Sequence, residues 1–117
     1  MKIPGYTLHG DYYLADEIIP NKTWEEAVRM KEMIILPNNK TVVAHTLSRK
    51  ELKSIPFEER SYDKWYWTST PYDDSVAWIV TNTGGFSSGL FSFSYDGGGA
   101  RLGFHKNEIK KQLLDIE

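Results

Sequence analysis

The sequence predicts an α+β domain, in which two short helices from the first half pack on a small twisted antiparallel sheet. Three observations predict it. Two helix-starting motifs occur at residues 23–26 and 48–51, β-branched and aromatic runs broken by turn residues follow from Trp65 onward, and 117 residues fit a single core. We expect residues 1–105 to form the domain and residues 106–117 to form a C-terminal helical extension of it.

The amino-acid composition excludes several kinds of functional site and partner. The chain has no cysteine, which excludes disulfides, thiolate zinc sites and a cysteine nucleophile. A net charge of −2 without a long basic block argues against nucleic acid as a partner. No apolar run approaches the roughly 18 residues of a membrane span, and residues 1–10 do not read as a secretion signal. We therefore expect a cytoplasmic protein with no membrane partner.

The first half contains a predicted hairpin and two predicted helices. Residues 6–19 mix aliphatic and tyrosine side chains with the turn residues Gly10 and Asp11, which favours a hairpin. Thr23 and Glu26 form a capping box, and the apolar spacing that follows predicts one helix continuing toward Pro37. A second capping box at residues 48–51 predicts a short helix that ends before residue 56.

The second half is predicted to be β-structure. Residues 66–70 and 76–80 have the composition of paired antiparallel strands, residues 83–89 of a turn, and residues 100–104 of a closing strand. Residues 91–95 alternate aromatic and serine side chains, which predicts a strand with all three aromatics on one face. Because alternate residues of a strand face opposite sides, we expect Trp67 and Trp78 in the core and Trp65 and Tyr66 toward the surface.

The tail is predicted to be an amphipathic helix. Ile109, Leu113 and Ile116 recur at helical spacing between charged residues. A helix this short needs a packing surface, which is either the domain's own sheet or a second copy of the chain. The closing strand ends at Phe104, which favours the second copy and hence a homodimer.

Several motifs follow one another in an order that resembles a bacterial C-type-lectin-like family. They are residues 23–27 (TWEEA), 47–52 (LSRKEL), 66–70 (YWTST), 77–78 (AW), 84–85 (GG) and 100–101 (AR). The resemblance covers about residues 23–104 and implies the fold of that family, with its termini close together. In two places the sequence departs from the family pattern: residues 46–48 (TLS) replace Leu-Pro-Thr, and residues 100–102 (ARL) replace a closing Val-Arg pair.

The resemblance implies a binding scaffold more than a particular ligand. The fold occurs in formylglycine-generating enzymes, whose chemistry needs cysteine, and in variable receptor-binding proteins of phages. The calcium and sugar triplets of animal lectins, Glu-Pro-Asn and Trp-Asn-Asp, do not occur in this chain. Carbohydrate binding is therefore the weaker implication.

We expect the binding site around residues 86–95, where residue types common at binding hot spots cluster. The candidate partner-binding residues are Tyr72, Asp73, Asp74, Phe86, Tyr95, Asp96 and Arg101. The three aspartates either ligate calcium or stabilise turns, and the lack of calcium-loop spacing favours turns. The three histidines lack the spacing of a helical metal site, so we predict no metal and no cofactor.

The sequence thus predicts a non-catalytic module that recognises a protein partner. Small size and the use of this fold as a scaffold suggest a phage- or mobile-element-encoded modulator or inhibitor of a host protein. The alternative is glycan or small-ligand binding in the manner of a lectin. Paired carboxylates at a hydrolase separation and a nucleophile elbow are not recognisable, so an enzyme is the least favoured reading.

Overall fold

A computed structural model describes residues 2–37, 39–95 and 98–114 of the chain, with the side chains of residues 112–114 outside the description. The elements in chain order are β1 (Tyr6–His9), β2 (Tyr12–Ala15), β3 (Ile19–Pro20), α1 (Trp24–Arg29), β4 (Lys31–Ile35), β5 (Thr41–Thr46), α2 (Arg49–Lys53), α3 (Phe57–Arg60), β6 (Tyr66–Pro71), β7 (Val76–Val80), β8 (Phe86–Leu90), β9 (Gly99–Ala100), β10 (Leu102–His105) and α4 (Asn107–Leu114).

The strands form two five-stranded sheets. The first sheet has the order β1-β2-β10-β5-β4 and is antiparallel throughout. The second sheet has the order β3-β9-β6-β7-β8 and is antiparallel except for the parallel pair β9–β6. The predicted α+β class is confirmed, with two sheets and four short helices in the described residues where the sequence suggested one sheet.

Both predicted capping boxes are present. Thr23 Oγ1 accepts a hydrogen bond from the backbone N–H of Glu26, and the Glu26 carboxylate accepts one from the backbone N–H of Thr23. Ser48 and Glu51 make the same reciprocal pair at α2, at 3.1 and 2.9 Å. Each pair satisfies two donors that a helix start leaves open.

The long first helix predicted from Thr23 toward Pro37 is wrong, because α1 ends at Arg29 and β4 follows at once. The run Met33-Ile34-Ile35 has higher strand than helix preference, and it pairs antiparallel with β5, Ile34 opposite Val42. The N–H of Leu36 donates to the carbonyl of Lys40 at 2.8 Å and closes this hairpin. The helical spacing of the apolar residues was therefore coincidental beyond α1.

One core cluster lies between the two sheets. Leu14 of the first sheet packs with Tyr66 and Val80 of the second, and all three are fully buried. Leu52 of α2 belongs to the same cluster. The opposite face of the first sheet carries a second cluster, to which α4 contributes Ile109.

Trp67 is buried as predicted, whereas the prediction that Tyr66 reaches the surface is wrong. Residues 66–68 are all buried, because β6 lies inside its sheet and both of its faces are covered. Alternation therefore carries no inside–outside information there. Trp78, predicted in the core, is half-buried on β7.

The predicted strand at residues 91–95 is not a strand, and the predicted turn at residues 83–89 contains most of β8. After Leu90 the chain turns, with the Phe93 N–H donating to the Leu90 carbonyl at 2.9 Å. Phe91 stacks on Trp24 at 4.3 Å between ring centroids, and Phe93 contacts Trp65. The alternation of aromatics thus reflects packing against tryptophans and not strand pairing.

The predicted tail helix is present as α4, and Ile109 is buried in the domain's own core. The side chain of Leu113 and the whole of Ile116 lie outside the described residues. Dimerisation through this helix stays a prediction. Among the described residues, no helix has the length and apolar character that crossing a bilayer requires.

Candidate binding site

An aromatic pocket of about 280 Å³ opens beside β8. Its lining is apolar and carries no ionisable side chain, and comprises Trp65, Trp67, Ile79, Ser88, Gly89, Leu90 and Phe93. Pockets that bind ligands and side chains are typically lined in this way, with few polar groups. We call this cavity the aromatic pocket.

The base of the aromatic pocket is held rigidly. Trp67 is fully buried, and its indole N–H donates to the carbonyl of Lys22 at 2.8 Å. This bond joins β6 to the loop before α1. Because the indole has no freedom to rotate away, the pocket has a fixed floor.

The half-buried Trp65 forms one wall. Its ring stands at 90° to that of Trp67, and its indole N–H donates to the carbonyl of Tyr95 at 3.3 Å. The ring lies so close to the backbone at Gly98 that a Cβ there would fall 2.0 Å from Cε2 of Trp65. Glycine at 98 is therefore required for Trp65 to occupy this place.

Gly89 keeps the aromatic pocket open at the strand. A Cβ at this position would lie 3.4 Å from Cη2 of Trp67, so a side chain would cover the indole instead of clashing with it. The neighbouring Leu90 is 57% exposed. The pocket is thus bordered by a strand whose side chains leave its mouth accessible.

A second surface lies on the other side of the same sheet. Tyr72 makes an edge contact with Trp78, and the Arg49 guanidinium lies 4.5 Å from the Trp78 ring centroid and 4.9 Å from that of Phe86. The guanidinium of the buried Arg60 also stacks on Phe86, 4.5 Å from the ring centroid. We call these residues the cation–π column, and it joins two predicted site residues, Tyr72 and Phe86.

Arg49 has no carboxylate partner among the residues that the structure describes. Its Nε is buried and makes no hydrogen bond, and its side chain is half-buried. A guanidinium held against two rings but lacking a counter-charge is suited to pairing with an anionic group.

Asp73 and Asp74 are exposed in the turn between β6 and β7. The Asp73 carboxylate accepts a hydrogen bond from the N–H of Ser75 at 2.8 Å, which is the turn-stabilising contact that the sequence favoured over calcium. Within the described residues, no three histidine, aspartate or glutamate side chains cluster as metal ligands do. Asp96 lies outside the described residues.

Arg101 is 5% exposed and does not present its guanidinium at the surface. Its Nε donates to the carbonyl of Ala15 at 2.8 Å, and the same side chain reaches the Arg60 carbonyl and the Tyr66 hydroxyl. Burial raises the pKa of the Tyr66 phenol, which keeps it neutral as a donor to the Arg60 carbonyl. Through these hydrogen bonds the buried Arg101 side chain connects the first sheet, the second sheet and α3.

Of the predicted residues, Tyr95 is 66% exposed and borders the aromatic pocket through its contact with Phe93. Sequence reasoning missed Arg49, Ile79 and Gly89. The signal for Gly89 was present, since an isolated glycine within a strand often marks a close approach, but residues 83–89 were interpreted as a turn. Comparisons of the chain with family models, curated proteins and solved structures found no match.

Proposed function

We propose that this chain is a non-catalytic binding module that recognises a protein partner through the aromatic pocket. The observation that carries the proposal is the pocket's floor at Trp67, held by its hydrogen bond to Lys22, beside the half-buried Trp65 ring. Apolar and aromatic anchors of this kind supply most of the affinity of protein interfaces. A side chain of the partner would enter the pocket and contact Trp65.

The proposal includes a C-type-lectin-like fold. The order of the two capped helices and of β6 and β7 supports it, as does the pairing of β2 with β10, which brings the first and last parts of the sheet together. The resemblance also suggests that the module is phage- or mobile-element-encoded and modulates a host protein. These points rest on the resemblance and on the arrangement of elements.

The experiment adds a carboxylate at two positions. The purified chain is immobilised and exposed to a lysate of its native cell, in parallel with Gly89→Asp, whose side chain would lie over the Trp67 indole, and Leu8→Asp on β1. Leu8 is 44% exposed and lies in the other sheet, so it controls for the added charge. We expect a stoichiometric protein to be retained by the wild type and Leu8→Asp and lost by Gly89→Asp. Equal retention by all three would contradict the proposal.

Glycan binding is the second candidate function, favoured by the half-exposed Trp65 ring in the lining of the aromatic pocket. Binding to immobilised sugars that Trp65→Ala abolishes would support it against protein recognition. Loss of that binding on adding a chelator would further indicate a calcium-dependent site. The absence of sugar binding, together with a retained protein, would leave protein recognition as the function.

A further inference from the structure

The outer edge of β8 offers backbone hydrogen-bonding groups. In the described residues β8 pairs with β7 on one side and has no strand on the other. The Thr81 N–H donates to the Gly85 carbonyl, and the Phe91 N–H donates to the Ser75 carbonyl. Bonded pairs alternate with unbonded pairs in an antiparallel ladder. With the observed register, the bonded residues of β8 are the odd-numbered ones.

The even-numbered residues of β8 consequently point their backbone groups outward. These are Phe86, Ser88 and Leu90, of which the Leu90 carbonyl is used by the Phe93 N–H. The N–H and C=O groups of Phe86 and Ser88 and the N–H of Leu90 thus point away from β7. This pattern is what an added strand pairs with.

The composition of β8 does not protect this edge. Soluble proteins usually shield edge strands with charged residues, proline or a covering element. The β8 sequence FSSGL contains no charge and no proline. One of the two edge strands of the other sheet, β4, by contrast carries Lys31 and Glu32.

The two faces of β8 present different chemistry. Gly89 pairs with Ala77 and lies on the face of Trp67 and the aromatic pocket, whereas Ser88 pairs with Trp78 on the face of the cation–π column. Neighbouring strands lie about 4.8 Å apart and consecutive side chains alternate between faces. An added strand would therefore place one side chain at the aromatic pocket and the next one toward Arg49.

We propose that β8 accepts an extended peptide segment of the partner as a sixth strand of the second sheet. The segment carries an apolar side chain for the aromatic pocket, adjacent to an acidic side chain that pairs with Arg49. The charge follows from the half-buried Arg49 guanidinium, which forms no ion pair with a carboxylate among the described residues. This inference rests on the proposed function and specifies its partner.

A second copy of the chain fits the β8 edge less well than a peptide segment of a different protein. In a two-fold pairing of β8 with β8, each copy would direct Ser87 and Gly89 toward the pocket face of the other. Neither residue has an apolar side chain to fill the aromatic pocket. The occupant is therefore a different segment, with its own apolar residue.

The experiment selects binders for the full chain from a displayed library of random linear peptides. We expect enriched peptides to share an apolar residue adjacent to an acidic one, with proline depleted. One enriched peptide is then synthesised and its affinity measured against the wild type, Ser88→Pro and Ser88→Ala. Proline removes the outward N–H of Ser88 and leaves the ladder to β7 intact, and alanine is the control that keeps the backbone.

We expect Ser88→Pro to weaken binding about tenfold or more, since hydrogen bonds are lost, and Ser88→Ala to change it little. Arg49→Gln should weaken the binding of the acidic peptide and leave the binding of its amide analogue unchanged. If Ser88→Pro fails to fold, the peptide is instead N-methylated on its backbone, at its odd-numbered residues in one version and at its even-numbered residues in another. The version in which the methylated groups are those that pair with β8 should not bind.

The strand proposal and the proposed function can fail separately, and the experiments give a different result in each case. Peptide binding that Gly89→Asp abolishes but Ser88→Pro and N-methylation leave unchanged would overturn strand addition and retain the pocket. A library that yields no binder would overturn strand addition as well, while the lysate experiment still decides on protein recognition. A rise in oligomeric mass that Ser88→Pro abolishes would assign the edge to a second copy, against the proposal.

Discussion

The ring of Trp65 stands perpendicular to that of Trp67, with 5.1 Å between the ring centroids. Trp67 is fully buried and hydrogen-bonded, whereas Trp65 is half-buried at the surface of the pocket. Two neighbouring tryptophans thus differ in place, one lying in the core and the other in the wall of the aromatic pocket. This difference can be measured by replacing each of them separately.

Trp67→Ala should lower the free energy of unfolding by about 3–5 kcal/mol, because truncating a buried tryptophan leaves a cavity. Thermal and denaturant unfolding measure the loss. Trp65→Ala is the matched comparison and should cost clearly less while removing partner binding. An unchanged melting temperature for Trp67→Ala would contradict the burial of this residue.

Ser48→Ala should cost about 1 kcal/mol of stability, since it removes the side chain that caps the N–H of Glu51. Lys50→Ala, at an exposed position of the same helix, is the control and should be nearly neutral. Urea unfolding of the three proteins tests this. Equal losses in both variants would mean that the capping box contributes nothing specific.

His9 should make the domain less stable as the pH falls. Burial, and next the positive charge of Arg101, lower the pKa of His9 below the ordinary histidine value of 6.5. The unfolded chain then binds the proton more readily, so this contribution to stability is present above pH 6.5 and is lost as the pH falls through the folded pKa.

The measurement is the urea midpoint at about pH 7.5 and about pH 5.5, on either side of the ordinary histidine pKa. The wild type should lose more stability between them than His9→Gln does. The comparison isolates His9 from its neighbour Glu59, whose carboxylate lies 3.7 Å from Nδ1. An identical loss in the two proteins would remove His9 as the cause.

Ile109→Ala should destabilise the single chain by about 2–5 kcal/mol, the usual cost of truncating a buried isoleucine. Lys110→Ala, on the exposed side of α4, is the control. Unfolding curves and light scattering are recorded together, because the same helix was predicted to form a dimer. A reduced mass with an unchanged melting temperature would place Ile109 at an interface instead of in the core.

Local signals in the sequence were sufficient for the helix starts and for the pairing of β6 with β7. A capping box depends on residues three apart, and both boxes formed as predicted. The β4–β5 hairpin was missed because the helical spacing that begins in α1 was continued toward Pro37, whereas residues 31–35 pair with β5. Tyr66 was misplaced because alternation fails in a strand covered on both faces.

The candidate site was only partly predictable, for a related reason. Residues 86–95 were identified from aromatic composition, and Ser88, Gly89, Leu90 and Phe93 within them line the aromatic pocket. Arg49 was not identified, because its role depends on α2 packing against Trp78 and Phe86, which lie far along the chain. Arg101 has the residue type of an interface anchor, yet its carbonyl partners lie inside the domain.

The position of β10 between β2 and β5 has a consequence for folding kinetics. The hairpins β1–β2 and β4–β5 each form from nearby residues, but neither contacts the other in the first sheet until residues 102–105 insert between them. The entropy cost of closing such a long loop comes before the stabilising contacts of β10 form, so the domain should fold slowly for its size. Until then the two hairpins expose unpaired edges, and that interval is when the chain is most exposed to aggregation.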